Sequence, residues 1–224
     1  MKYSVFALLV VVAGAFAMPE IDDQARESRV IVANTIRNMV EQVRRFIVEI
    51  GLDPLDIESL NFEYVPVPFL AEVRASAEDI HFSGLSNIVI ENVNYNALLN
   101  RLRFSFVLPQ LLFSVGNSQV NANLLGNRYN GEFRGRLAIN RISLGGEVRV
   151  NIGIISGISI RSLSLDVNLG GIESDLVLNV LDVDYSDILN ELLNDSIPSA
   201  FQENRDQINR FLESVIRDIL DEIL

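Results

Sequence analysis

From Asn140 to Gly170 the chain is a one-sided apolar ribbon. Ile142, Leu144, Val148, Val150, Ile152, Ile154, Ile158 and Ile160 fall on even positions, and Leu163, Leu165, Val167 and Leu169 on odd ones. A period of two puts such residues on one face of extended chain. The ribbon contains no histidine, cysteine, lysine, tryptophan or proline, so packing is nearly all it can do. A sheet with one apolar face must be covered in water. The change of parity near Ser162 predicts a bulge or bend.

The same period runs through much of the chain. Phe69, Ala71, Val73, Ala75 and Ala77 alternate, then Ile88 and Ile90, then Val93 and Tyr95. Further runs are Leu102 to Leu108, Leu111 to Val115, Val120 to Leu124, and Leu176 to Val180. Gly and Asn pairs at 116–117, 126–127 and 130–131 read as turns between them. Alternation with short turns over about 120 residues predicts an antiparallel sheet with one wet and one dry face.

The ends are helical by period. Between Asp22 and Ile50, Val32, Ile36, Met39, Val40, Val43, Phe46 and Ile47 recur every three or four residues. Gly51 and Asp53-Pro54 supply the stop. Tyr185 to Asn194 forms a second amphipathic run, and Pro198 interrupts it or begins another. Ile208, Leu212, Val215, Ile216 and Ile219 then mark a long final stripe, with acids and arginines on the outer face. The fold class is therefore α+β, a long antiparallel sheet that bends around N- and C-terminal amphipathic helices.

Residues 1–17 carry a positive Lys2, an apolar run from Val5 to Ala13 and a small-x-small site at Ala15-Phe16-Ala17. That is the pattern of a secretory signal peptide, with residues 18–224 left as a single domain. The cysteine count is zero, which excludes disulfide scaffolds and thiol chemistry. Lysine occurs only at Lys2, which removes Schiff-base and Walker-loop mechanisms from the rest of the chain. The net charge of −12 disfavours nucleic acid as a partner. The chain is locally basic where Arg101, Arg103, Arg128, Arg134, Arg136, Arg141 and Arg149 fall against Glu132 and Glu147. These are solvated strand faces or, on a sharper reading, a site for anionic head groups.

Catalytic signals are sparse. His81, in Asp79-Ile80-His81-Phe82-Ser83, is the only histidine, and no Gly-x-Ser-x-Gly elbow accompanies it. It reads as a surface or packing residue. No catalytic residues, metal ligands or cofactor are expected. Asn194-Asp195-Ser196 is a glycosylation sequon.

Several stretches resemble the arthropod takeout and juvenile-hormone-binding family and the related mite group-7 allergens. Asp53-Pro54-Leu55-Asp56-Ile57 is similar to the segment after their first helix, and Gly84-Leu85-Ser86-Asn87 to an entry into a strand. Leu108-Pro109-Gln110-Leu111, followed by Gly116, Gly131 and Gly135, is similar to their central hairpin region. The resemblance implies the TULIP-type fold, a highly curved sheet enclosing a tunnel for terpenoid, fatty-acid-like or carotenoid ligands. It thus implies a secreted carrier or scavenger of a lipophilic small molecule, not an enzyme. A surface-active or structural protein at an interface, or a lipid-sensing immune module, is the alternative. A tunnel would be lined from the dry faces: Ile36, Met39, Val43 and Ile47 on the first helix, Phe104, Phe106, Leu144, Val148, Val150 and Ile152 on strands, and Val215 and Ile219 on the last helix.

Overall fold

The computed structural model describes residues 25–67, 71–153 and 157–223; the expected signal peptide lies outside them. Helix α1 (Ala25–Glu49) precedes strands β1 (Leu55–Val67), β2 (Ala71–Ser83) and β3 (Val89–Asn96). After a 3-10 turn at Ala97–Leu99 come β4 (Arg101–Leu124), β5 (Asn127–Gly153), β6 (Gly157–Val180) and the two-residue β7 (Val183–Asp184). Helix α2 (Ser186–Glu191), a π-helical turn (Leu192–Ser196), α3 (Ile197–Glu203) and α4 (Arg205–Ile223) complete the chain. Ser196 and Ile197 are themselves helical, so Pro198 lies inside a continuous helical run, directly after the π-helical turn.

The strands form one open, seven-stranded antiparallel sheet in the order β1-β2-β4-β5-β6-β7, with β3 also paired to β4. Strand β4 is one continuous element of 24 residues, where the sequence suggests three shorter ones. Its first half pairs with β3 and its second half with β2. Pro109 falls between those two partners and opposite no bonded residue of β5, so no ladder bond needs its missing N–H. Of the expected turns, only Gly126-Asn127 is one; Gly116-Asn117 and Asn130-Gly131 lie inside β4 and β5. Gly116 is required by packing instead, since a Cβ there would meet the Asp79 side chain at 2.9 Å. The parity change near Ser162 is a bulge. Arg149 pairs with Ser162 but Val150 with Ile160, which leaves Arg161 as the extra residue.

Register fixes which side chains share a face. Tyr95, Leu102, Val148 and Leu163 make one cross-strand row. Val93, Phe104, Gly146 and Leu165 make the next, then Ile90, Phe106, Leu144 and Val167. Helix α1 covers these rows with Val32, Ile36 and Val40, and together they are the main buried cluster. Gly146 is needed beneath Phe104, because a Cβ would stand 2.6 Å from the ring.

The link from α1 into the sheet is a polar clamp. Buried Asp53 accepts from the Gly84 amide at 2.9 Å and from the Ser86 amide at 2.5 Å. Burial pushes the Asp53 carboxyl up, but bonds from the Ser86 hydroxyl and amide and the Gly84 amide outweigh it and hold it below its ordinary range. A depressed carboxyl adds stability above its unfolded pKa of about 3.9 and loses it as pH falls through the lower folded value. Asp53→Asn turns one acceptor into a donor facing an N–H. It is expected to cost about 1.5–3 kcal/mol at pH 7 and to flatten the loss of stability below pH ~4. Urea melts of both proteins at neutral and acid pH check this, and parallel pH curves would refute it.

Candidate functional site

The dry face divides into two halves. In the half under α1, the structure gathers Ile36, Phe104, Phe106, Val148 and Val150 into one buried cluster, with Met39 and Leu144 packed against it. Phe104 and Phe106 stack at 5.4 Å between ring centroids. Ile47 is buried further along α1, and Val43 and Val215 are half-buried. Helix α4 reaches the cluster through Leu212 and Ile216 rather than Val215, a one-residue difference of phase that the apolar stripe alone does not decide. The side chains of Ile152 and Ile219 lie outside the described residues. Val32, Val40, Leu102, Leu163 and Leu165 complete the cluster. They belong to the same apolar periods, so period alone gives no reason to choose among them.

The other half carries the same face without a helix over it among the described residues. Tyr64, Val73, Ala122 and Tyr129 form one row. Phe62, Ala75, Val120, Gly131 and Val180 form the next, and Leu60, Ala77, Ser118, Phe133 and Leu178 a third. The opposite face of the same strands is Asn61, Ser76, Gln119, Glu132 and Asn179, all polar. On the apolar side, Phe62 is 57% and Val120 46% exposed. Large residues on β1 and on β5–β6 stand either side of small ones on β2 and β4. A depression of about 310 Å³ lies against Val120, Tyr129, Gly131, Phe133, Leu178 and Val180. None of these residues was chosen from sequence, although their alternation was visible there.

The C-terminal helices run along the edge of β6 instead of across the sheet. Besides Leu212 and Ile216, they are held mostly by side-chain amides hydrogen-bonded to strand backbone. Asn190 accepts from the Leu176 amide at 3.0 Å and donates to the Leu176 carbonyl at 2.8 Å. Asn194 does the same for Ser174 at 2.7 and 3.3 Å. Ser186, Arg205, Asn209 and Glu213 continue the pattern at Leu178, Val167 and Leu165. A glycan on Asn194 Nδ2 would displace its bond to Ser174.

The arginines of the basic strands are largely engaged. Arg103 and Arg149 each approach Glu147 at 2.7 Å, Arg101 lies at 3.9 Å from it, and Arg141 pairs with Glu91 at 2.8 Å. The Arg103 hydrogen bond leads the causes that hold the Glu147 carboxyl below its ordinary range. This leaves less free positive charge for a head group than the sequence suggests.

A second polar feature lies where β1 and β2 pair. His81 Nδ1 is 2.5 Å from Asp56 Oδ1, and His81 Nε2 is 3.1 Å from Ser83 Oγ. Asp56 and His81 are register partners, and Ser83 follows His81 by two on the same strand face. Ser83 also lines a depression of about 420 Å³ that includes Arg44, Asp53, Asn87, Val89 and Leu112. Arg44 donates to the Ile88 carbonyl and to Glu41, while its Nε–H is buried without an acceptor among the described residues. No group of three or more His, Cys, Asp or Glu among the described residues could hold a metal ion. Nor is any described helix long and apolar enough to cross a membrane.

An open antiparallel sheet with an apolar face, part covered by helices and part bare, defines a class of α+β proteins organised around a dry interior. A sequence model of the haemolymph juvenile hormone binding protein (JHBP) family matches residues 5–224, and the chain belongs to that family. Among curated proteins none matches it by sequence. Solved structures similar to it include Epiphyas postvittana Takeout 1, at 14% identity and a TM-score of 0.38, over 84% of this chain and 91% of that one. A lipopolysaccharide binding protein is similar at 12% identity and a TM-score of 0.28; the alignment covers 83% of this chain and 36% of that one.

Proposed function

We propose that the protein is an extracellular carrier or scavenger of a lipophilic small molecule, which it holds on the dry face of the sheet. The observation that carries this reading is the contiguous bare apolar surface of the Phe62, Tyr64 and Val120 rows, continuous with the buried cluster under α1. Membership of a family named for hormone binding supports it, as does the signal-like pattern of residues 1–17. An apolar ligand there gains roughly 25 cal/mol for each Å² of apolar surface it removes from water. The twelve side chains expected to line a tunnel remain candidates, with the bare rows added as the more accessible part.

The test is a pair of tryptophan variants, each given a fluorescent fatty-acid titration and a thermal melt. Val120→Trp fills the bare half and is expected to weaken the probe about tenfold while the melting temperature stays put. Val150→Trp enters the packed cluster and is expected to cost ~1–3 kcal/mol of stability. Unchanged probe affinity in both variants would remove the dry face as the site.

A second reading, of a protein active at interfaces, draws on leucines at turns: Leu98 is 89% and Leu125 78% exposed. Native mass spectrometry of protein from its source, followed by organic extraction, separates the two. Stoichiometric lipid favours the carrier; an empty protein that sharply lowers surface tension favours the interface.

A further inference from the structure

The geometry points to Ser83 as a nucleophile activated by His81, able to take an acyl group from a small ester bound in the adjoining depression. This goes beyond the carrier reading and does not depend on it. Asp56, His81 and Ser83 stand in the order acid, imidazole, hydroxyl, with both hydrogen bonds on the correct ring nitrogens. In the tautomer protonated at Nδ1, His81 donates to Asp56 and leaves Nε2 to accept from the Ser83 hydroxyl. Asp56 is a positioning residue that fixes that tautomer and the ring plane. Ser83 opens onto a volume of about 420 Å³, enough for a small ester.

In the first step Ser83 Oγ bonds to the ester carbonyl carbon and its proton passes to His81 Nε2. The C–O bond to the alcohol then breaks, and the alcohol leaves with that proton. In the second step water attacks the acyl-serine as His81 Nε2 takes its proton; the acyl C–O bond to Ser83 Oγ breaks, His81 returns the proton to Oγ, and the acid leaves. Stabilisation of the oxyanion is the weak point of the site. The Gly84 and Ser86 amides beside Ser83 are already donated to Asp53. Arg44 also lines the depression, but its Nε–H, without an acceptor among the described residues, is buried below the surface. A site without a free pair of amides slows both steps; an activated ester with a good leaving group speeds acylation alone, so with such a substrate the signature is a burst rather than rapid turnover.

The full chain is treated with p-nitrophenyl acetate, nitrophenolate release is followed, and acetylated peptides are mapped. Lysine is confined to Lys2, so acylation of amines contributes little background. The expected result is one burst equivalent with acetyl on Ser83, abolished in Ser83→Ala. His81→Asn should slow acetylation of Ser83 about a hundredfold at an unchanged melting temperature. Asp56→Asn should slow it too, with Asp56→Glu restoring part of the rate, which a purely structural Asp56 would not do. Acetyl spread over other hydroxyls, or Ser83 acetylated as fast in His81→Asn as in the parent, would overturn the assignment.

Discussion

Leu102→Ala is expected to lower stability by about 2–5 kcal/mol, whereas Val120→Ala on the same face should cost about 0.5 kcal/mol or less. Leu102 is 0% exposed, in the row Tyr95-Leu102-Val148-Leu163 beneath α1. Its removal leaves a cavity that neighbours on two strands and a helix cannot all collapse to fill. Val120 is 46% exposed, and its truncation removes only surface that water already reaches. Urea unfolding of the two variants measures the contrast directly. Comparable losses would mean that the β1–β2 half of the dry face is packed as tightly as the other, and the accessible site proposed there would go with it.

The difference between the halves marks the limit of what periodicity reveals. Alternation places Val120, Phe104 and Val148 on the dry face, but β1, with Leu60, Phe62 and Tyr64, is not among the runs that it marked. It also places the bulge at Ser162, because an extra residue must change the parity. It does not say which helix lies over which row. Leu102 and Val120 occupy equivalent places in sequence, and only register and the position of α1 separate core from bare surface. The runs Leu102 to Leu108 and Leu111 to Val115 join into one strand for a related reason: Pro109 would break it only where a partner needs its N–H, and none does. The Asp56–His81–Ser83 arrangement was invisible because Asp56 lies 25 residues from His81 and meets it only through β1–β2 pairing. Most instructive is the C-terminal stripe of Ser186, Asn190, Asn194, Gln202, Arg205, Asn209 and Glu213. At spacings of three, four and, across Pro198, eight it reads as a solvated helix face, yet these residues bond to β6.

That stripe supports the second large effect, expected at Asn190→Leu. The amide of Asn190 forms a closed pair with Leu176, accepting from its N–H at 3.0 Å and donating to its carbonyl at 2.8 Å. Its oxygen also accepts from the Ser174 hydroxyl at 2.7 Å. It therefore acts as the next strand would, and β6 has almost no next strand, because β7 covers only Asn179 and Val180. Leucine keeps the branch at Cγ, is somewhat larger, and makes none of these bonds. The Leu176 N–H and carbonyl, half shielded by α2, are then left unpaired at about 1–3 kcal/mol each, so a loss of ~2–6 kcal/mol follows. Asn190→Asp should fall between, since it keeps the acceptor and sets a second oxygen against the Leu176 carbonyl. The loss should also be local before it is global. With α2 lifted, β6 presents an unpaired ladder edge, the template for sheet-to-sheet association. Hydrogen exchange at the Leu176 amide should accelerate below the unfolding transition, and light scattering should become concentration-dependent in Asn190→Leu alone. If that amide stays protected and the melting temperature is unchanged, packing rather than the amide pairs holds the C-terminal helices to β6.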